Sequence, residues 1–199
     1  MFKLVIVGSV IALSSMVSGR SHLINKRTVS EIKERTQHWE AHTPETNPLG
    51  HMTNEELLNL IGAHINLDSK TFEKMDSTTN EDLPENFDPR TEKFSKCIHP
   101  IRDQAQCGSC WAFGAVETLA DRFCIAGKDV ILSPQDLVSC DTNNYGCSGG
   151  YIELSWEYLS YTGAVSEACY PYTSGATKES GICVSECLGT AETWEKYTC

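Results

Sequence analysis

Residues 104–113, QAQCGSCWAF, contain two cysteines, Cys107 and Cys110, that lie three positions apart. From the second cysteine onward, apolar residues recur at the spacing of one helical face. They are Ala112, Ala115, Val116, Leu119 and Phe123. This spacing predicts a helix from about Cys110 to Cys124 with one buried side. Cys110 would then open the helix, and Cys107 would lie in the glycine turn before it.

The two cysteines therefore have different predicted environments. Free backbone N–H groups and the helix dipole at a helix N-terminus favour a thiolate at Cys110. A thiolate that attacks a carbonyl group also needs hydrogen-bond donors for the oxyanion that forms. The side-chain amide of Gln104 and the backbone N–H of Cys110 are candidates for these donors. We interpret Cys110 as a reactive nucleophile and Cys107 as a structural cysteine.

Composition and charge limit the possible classes of function. The net charge of −11 in 199 residues leaves no basic face, so we expect no nucleic-acid partner. Residues 1–19 contain one lysine, a mostly apolar run too short to span a bilayer, and then small residues. This pattern predicts a secretory signal peptide and no membrane anchor. All ten cysteines lie at or after Cys97, and in a secreted chain they are expected to form disulfides.

Residues 20–82 carry two helical patterns and no cysteine. The first is a helical face formed by Val29, Ile32 and Trp39. The second is a capping box at residues 53–56, followed by an apolar face that reaches Ile65. Two short amphipathic helices bury little by themselves, so we expect this segment to fold against another part of the chain.

A polar stretch, residues 76–82, predicts an exposed linker. The next segment, residues 83–90, is punctuated by proline and is therefore predicted to be extended. We place a domain boundary near residue 82, where proteases can reach the chain.

Two more helices are predicted after the first cysteines. Ser133 is a candidate N-cap, with Pro134 at the first helical position and Asp136 in the first turn. The other helix is expected over residues 152–161. Between the two, residues 141–150 (DTNNYGCSGG) predict a glycine-rich loop.

Several of these motifs together resemble one protein family. Residues 107–111, CGSCW, resemble the local signature of papain and cathepsin cysteine proteases. Residues 101–117, the LPENFDPR segment at 83–90 and the GCSGGY loop at 146–151 are similar to the cathepsin B type in particular.

The resemblance implies an α+β, papain-like cysteine protease fold. The chain would hold mainly the helical left domain and a helical propeptide, with most of the β-rich right domain missing. In addition to the signal peptide at 1–19, it implies an inhibitory propeptide over residues 20–82. Residues 83–199 would form an incomplete peptidase domain.

The resemblance also assigns roles to individual residues. Cys110 would be the catalytic nucleophile and Gln104 the oxyanion-hole residue. Backbone groups of Gly149 and Gly150 would bind the substrate chain, with Tyr151 near the pocket for the second residue before the cut. The implied reaction is proteolysis through a cysteine acyl-enzyme, and no metal or cofactor is implied.

The family pattern further implies four disulfides and a set of partners. The implied pairs are Cys97–Cys124, Cys107–Cys147, Cys140–Cys183 and Cys169–Cys187, which leaves Cys110 free and Cys199 without a partner. Expected partners are polypeptide substrates, the chain's own propeptide and cystatin-like inhibitors. The expected location is the secretory pathway, ending in the lysosome or endosomal vacuole or outside the cell.

The sequence departs from the family pattern in two places. The catalytic histidine of the family lies roughly 130–150 residues after the cysteine, but none of the six histidines here follows Cys110. His99 lies on the wrong segment to replace it, so we expect a C-terminally truncated chain of doubtful activity. The stretch between Tyr172 and Cys183 lacks the two histidines of the cathepsin B occluding loop, which favours an endopeptidase.

Three other classes of function stay open at this point. Without a general base, the chain would be a catalytically inactive fragment, or a binding or decoy protein of the same fold. A thiol–disulfide oxidoreductase would use the two cysteines of the CGSC motif as a redox pair. A structural zinc site would use Cys107, Cys110, Cys183 and Cys187, which have ligand-like spacing.

Overall fold

The computed structural model describes residues 21–36, 38–64, 84–188 and 192–199. The predicted signal peptide at 1–19 and the predicted linker at 76–82 lie outside these residues. None of the helices in the described ranges has the length and apolar character of a membrane span. The chain divides into two compact units between Asn54 and Glu55.

The first unit contains helix α1, Lys26–Arg35, which Asn25 caps by accepting a hydrogen bond from the backbone N–H of Thr28. The predicted face was wrong at Trp39, which lies beyond the end of α1 and is 60% exposed. The hydroxyl group of Thr36 donates to the carbonyl oxygen of Ile32 (3.1 Å), a side-chain bond that competes with continuing the helix. No residue of α1 is buried, so no packing prolongs the helix.

Helix α2, Asn54–Leu60, is shorter than the apolar pattern predicted. Leu57 is buried, but Ile61 is 66% exposed, and Ile65 lies outside the described residues. Instead of continuing the helix, the chain forms the short strand β1, Ala63–His64. The helix ends there because the backbone turns to pair with a second strand.

Helix α3, Cys110–Ile125, confirms the predicted central helix. Four of the five predicted stripe residues are buried, and Phe123 packs against the same core. Helix α4, Pro134–Cys140, begins as predicted: the Ser133 hydroxyl oxygen accepts from the backbone N–H of Asp136 (3.2 Å). Both α4 and helix α5, Ile152–Tyr161, pack against α3, which lies at the centre of this unit.

Short elements complete the second unit. Helix α5 confirms the helix predicted at residues 152–161. The remaining elements are the 3-10 turns Ser95–Cys97 and Gly146–Ser148, strand β2 (Gly150–Tyr151) and α6 (Ser174–Thr177). Strands β1 and β2 pair in parallel, with Ala63 opposite Gly150 and His64 opposite Tyr151. They form the one sheet in the described part of the chain.

Four disulfides cross-link the cysteine-rich part of the chain, in the pairs that the family resemblance implies. They are Cys97–Cys124, Cys107–Cys147, Cys140–Cys183 and Cys169–Cys187. Cys110 and Cys199 are free thiols.

A buried ion pair attaches residues 192–199 to the core. The carboxylate of Asp136 is fully buried, and the ammonium of Lys196 donates to both of its oxygens, at 2.8 and 2.6 Å. The backbone N–H of Val165 donates to the same carboxylate (2.8 Å). The negative charge inside the core is thus balanced by a cation that comes from the end of the chain.

We expect Lys196→Met to lower the free energy of unfolding by roughly 3–5 kcal/mol, because it leaves the buried Asp136 carboxylate without its cation. Urea unfolding with the disulfides intact measures this loss. Lys128→Met is the matched control, since it removes a solvent-exposed ammonium that pairs with Glu195 (3.0 Å). We expect the control to change stability little. Equal losses in the two variants would contradict the structural role of the buried pair.

Candidate active site

Cys110 is the first residue of α3, and its free thiol is half-buried. The residue before it, Ser109, is in the N-cap position but makes no side-chain cap. Its hydroxyl group instead forms a hydrogen bond with the hydroxyl group of Tyr172 (2.7 Å). The serine side chain therefore does not cap the first turn, and the N–H of Ala112 donates to the Ser109 carbonyl oxygen instead (2.9 Å). The thiol lies at the positive end of the helix dipole.

Gln104 lies beside this helix start, and its side-chain amide is already engaged with a peptide carbonyl. Its Nε2 donates to the carbonyl oxygen of Leu60 (2.9 Å). Its Oε1 is buried and has no hydrogen-bond partner within the described ranges. Such an unpaired oxygen costs about 1–3 kcal/mol and calls for a functional explanation. The hydrogen bond to Leu60 shows that the Gln104 amide can donate to a peptide carbonyl oxygen. A donor in an oxyanion hole stabilises the charge that develops on such an oxygen.

The segment before α3 is tied to the glycine-rich loop. Cys107 is bonded to Cys147, and the backbone N–H of Gly108 donates to the carbonyl oxygen of Cys147 (3.0 Å). Trp111 is fully buried, and its indole N–H donates to the carbonyl oxygen of Gly146 (3.0 Å). These contacts fix the start of α3, and with it Cys110, against the loop.

Side chains that the sequence reasoning missed shape the glycine-rich loop itself. Asn144 donates to a carboxylate oxygen of Asp141 (2.6 Å) and accepts from the backbone N–H of Tyr151 (2.7 Å). Burial raises the pKa of the Asp141 carboxyl, although hydrogen bonds from Asn144 and Asn143 oppose the shift. The clustered Asp and Asn residues of DTNN signal side-chain-stabilised turns, and that signal could have found this pair.

The two loop glycines are required by the backbone and by the packing around them. Gly149 has a φ of +108°, a conformation that residues with a side chain rarely adopt. A Cβ on Gly150 would lie 2.6 Å from the Trp111 ring. Because neither glycine carries a side chain, the backbone at Gly150 packs directly against the Trp111 ring, and the hydrogen-bonding edge of β2 stays open beside the start of α3.

A segment of the same chain occupies this open edge. The backbone N–H of Gly150 donates to the carbonyl oxygen of Gly62 (2.8 Å). The rings of His64 and Tyr151 lie in contact, with centroids 5.3 Å apart. The site thus holds an extended peptide by main-chain hydrogen bonding, as in strand addition to a sheet edge.

The structure places His99 far from the Cys110 thiol. Its Nε2 lies 2.9 Å from a carboxylate oxygen of Asp129, and its Nδ1 lies 3.8 Å from one of Asp121. Asp121 is eleven residues after Cys110 on the same helix. At 1.5 Å of rise per residue, that is about 16 Å along α3. His99 is therefore too far away to take a proton from the Cys110 thiol.

The disulfides also weigh against the two other cysteine chemistries. Cys107 is bonded to Cys147 and not to Cys110, which is not the pairing of a redox CxxC motif. Cys183 and Cys187 are likewise bonded to other cysteines. Three of the four cysteines with zinc-like spacing are thus unable to act as thiolate ligands.

Comparison with known proteins gives a consistent family. The family described as "Papain family cysteine protease" matches residues 83–198. Cathepsin B-like CP2 of Giardia intestinalis is 42% identical over 131 residues, which cover 60% of this chain and 43% of that protein. Cathepsin B-like cysteine proteinase 4 of Caenorhabditis elegans is 34% identical, covering 84% of this chain and 44% of that protein. The chain thus spans less than half the length of these two relatives.

A solved structure gives the same result for the fold. The structure of proCathepsin B S9 from Trypanosoma congolense superposes with a TM-score of 0.75 at 25% identity, covering 89% of this chain and 63% of that one. This likeness confirms the predicted papain-like fold, which is mainly helical, with few strands in the described residues. The family match takes in more than half of the sequence, and the chain therefore belongs to the papain family of cysteine proteases.

Proposed function

We propose that the chain is the precursor of a cathepsin B-like cysteine peptidase, with Cys110 as nucleophile and Gln104 as an oxyanion donor. The observation that carries this proposal is a free thiol on the first turn of α3, beside an amide N–H that hydrogen-bonds a peptide carbonyl. In the reaction the Cys110 sulfur bonds to the substrate carbonyl carbon, and the carbonyl oxygen becomes an oxyanion that Gln104 stabilises. A general base must take the Cys110 thiol proton as the sulfur attacks. The C–N bond then breaks, the proton passes to the leaving amine, and water hydrolyses the remaining thioester to a carboxylic acid and the free thiol.

Polypeptide substrates would bind as a strand along Gly149 and Gly150, with a side chain near Tyr151. The hydrogen bond from the Gly150 N–H to the Gly62 carbonyl oxygen supports this role, because the edge there already holds extended backbone. Main-chain hydrogen bonds of this kind give affinity without a strict sequence requirement, while the side-chain pockets select residues.

Residues 20–82 would act as an inhibitory propeptide, and residues 83–199 would belong to the peptidase domain. Two contacts support the inhibitory role: Leu60 uses the amide N–H of Gln104, and Gly62 uses the backbone N–H of Gly150. A substrate needs the same two donors, so it cannot bind productively while this segment is in place. Cystatin-like inhibitors would compete for the same cleft.

Two further parts of the proposal, endopeptidase activity and a location in the secretory pathway, rest on the sequence. The stretch between Tyr172 and Cys183 lacks the two histidines that bind a substrate's terminal carboxylate in the cathepsin B occluding loop, and their absence favours an endopeptidase. The signal at residues 1–19 and the four disulfides favour the secretory pathway, with a lysosomal, endosomal or extracellular destination.

We expect Gly62→Ala to open the cleft. A Cβ on Gly62 would lie 2.0 Å from the backbone oxygen of Gly108, so β1 must move away from the site. Alkylation of the Cys110 thiol by iodoacetamide should accelerate about tenfold or more, the ratio that a loss of about 1.4 kcal/mol of contact energy gives. Mass spectrometry of the digested chain measures the rate separately at Cys110 and at Cys199.

Gly114→Ala is the control, because a Cβ on this α3 glycine would meet nothing within 4 Å. We expect no faster alkylation of Cys110 in this variant. Equal acceleration in both variants, or none in Gly62→Ala, would show that the segment around β1 does not cover the nucleophile.

Covalent labelling tests the proposed function directly. In the Gly62→Ala chain, we expect a peptidyl epoxide to label Cys110, and we expect Cys110→Ser to abolish labelling while Cys199→Ser leaves it intact. A dipeptidyl fluorogenic substrate should show little turnover by a polypeptide of these 199 residues, since it carries no histidine after Cys110. Labelling at Cys199 alone would refute the assignment of the nucleophile, and full turnover would refute the need for a histidine.

A further inference from the structure

The hydroxyl group of Tyr172 connects the two halves of the proposed acylation site. It donates a hydrogen bond to the backbone carbonyl oxygen of Gln104 (2.8 Å). The same hydroxyl oxygen lies 2.7 Å from the hydroxyl oxygen of Ser109, the residue immediately before Cys110. A single phenol group therefore spans from the loop that carries the oxyanion donor to the residue that leads into the nucleophile.

The direction of these hydrogen bonds follows from the number of protons. The single proton of the Tyr172 hydroxyl goes to the Gln104 carbonyl, which can only accept. The Ser109 hydroxyl then donates to the Tyr172 oxygen at 2.7 Å, a much closer acceptor than the Cys107 carbonyl oxygen at 3.4 Å. The three groups therefore form a continuous chain in which each hydrogen bond polarises the next. Burial raises the pKa of the Tyr172 phenol, which keeps it protonated and able to donate.

Other contacts hold the ring of Tyr172 without using its hydroxyl group. Phe113 packs edge-on against it, with the ring centroids 4.8 Å apart. The backbone N–H of Tyr172 donates to a carboxylate oxygen of Glu167 (2.8 Å), and Glu167 pairs with Arg102 (2.6 Å). The ring position is thus determined independently, and the hydroxyl group can be removed without removing the packing.

We propose that Tyr172 is a positioning residue, whose hydroxyl group sets the separation between the Gln104 amide and the Cys110 thiol. The inference rests on the proposed function, because it gives Tyr172 no contact with substrate and an effect only through Gln104. An oxyanion donor works only when it is held at hydrogen-bond distance from the developing charge, so a small shift of the Gln104 loop weakens stabilisation of the oxyanion.

The test is the equilibrium binding of a peptidyl aldehyde to the full chain in the Gly62→Ala background. The Cys110 sulfur adds to the aldehyde carbon, the C=O π bond breaks, and the thiol proton passes to the oxygen, giving a neutral hemithioacetal. Because binding is read at equilibrium, it needs no general base. The oxygen of the adduct lies where Gln104 can donate to it, whereas alkylation by iodoacetamide needs no such donor.

We expect Tyr172→Phe to weaken aldehyde binding by about threefold to tenfold, the scale of one hydrogen bond, and to leave the iodoacetamide rate at Cys110 unchanged. Gln104→Ala should weaken binding by about tenfold or more. Adding Tyr172→Phe to Gln104→Ala should cost nothing further, because the tyrosine acts through the glutamine.

Tyr170→Phe is the matched control. Its hydroxyl group also makes two hydrogen bonds, with Ser139 (3.0 Å) and Ile182 (2.6 Å), and neither involves Gln104 or Ser109. We expect this variant to lose thermal stability to a similar extent as Tyr172→Phe, with aldehyde binding unaltered. Ser109→Ala removes the other end of the hydrogen-bonded chain and should weaken binding in the same direction as Tyr172→Phe; it decides the question if Tyr172→Phe fails to fold.

The possible results test the oxyanion role of Gln104 separately from the positioning role of Tyr172. If Gln104→Ala binds the aldehyde as well as the parent chain, the proposed oxyanion role is refuted. If Gln104→Ala weakens binding but Tyr172→Phe does not, or if the two effects add in the double variant, the positioning role of Tyr172 is refuted. Equal weakening in Tyr170→Phe and Tyr172→Phe would also refute it, since both would then act through general stability.

Discussion

The disulfide between Cys107 and Cys147 fixes the start of α3 against the glycine-rich loop, and the site depends on this link. It lies three residues before Cys110, and the hydrogen bond from Gly108 to Cys147 reinforces it. Because the sulfur of Cys107 is used for this bridge, Cys110 keeps a free thiol at the end of a helix. One cross-link thus both positions the proposed nucleophile, Cys110, and distinguishes it chemically from Cys107.

The same arrangement explains why the edge of β2 pairs with the backbone of another segment of the chain. Trp111 fills the space where a side chain at Gly150 would lie, and the left-handed conformation of Gly149 exposes the strand that follows. In this structure Gly62 takes the exposed N–H of Gly150, while Leu60 takes the amide of Gln104. Inhibition by the chain's own segment and binding of a substrate would therefore use the same donors, which makes them mutually exclusive.

Much of this architecture was predictable from local sequence. The apolar stripe of α3 and the Ser133 cap of α4 each follow from short-range rules, and both were found. The end of α2 was not, because Leu60 is followed by a strand whose partner, Gly150, is far away in sequence. The Tyr172 hydroxyl, more than sixty residues from both Gln104 and Ser109, was missed for the same reason: no local pattern encodes a contact that only tertiary packing creates.

Mapping the cysteines distinguishes a structural Cys107 beside a reactive Cys110 from a redox pair formed by the two. The unreduced chain is first alkylated at its free thiols. It is then cleaved by proteases or partial acid hydrolysis, so that Cys107 and Cys110 fall on separate peptides, and the peptides are analysed by mass spectrometry. The structure predicts a Cys107–Cys147 cross-linked peptide, with Cys110 carrying the alkyl group. A Cys107–Cys110 bridge would contradict the account and support thiol–disulfide chemistry instead.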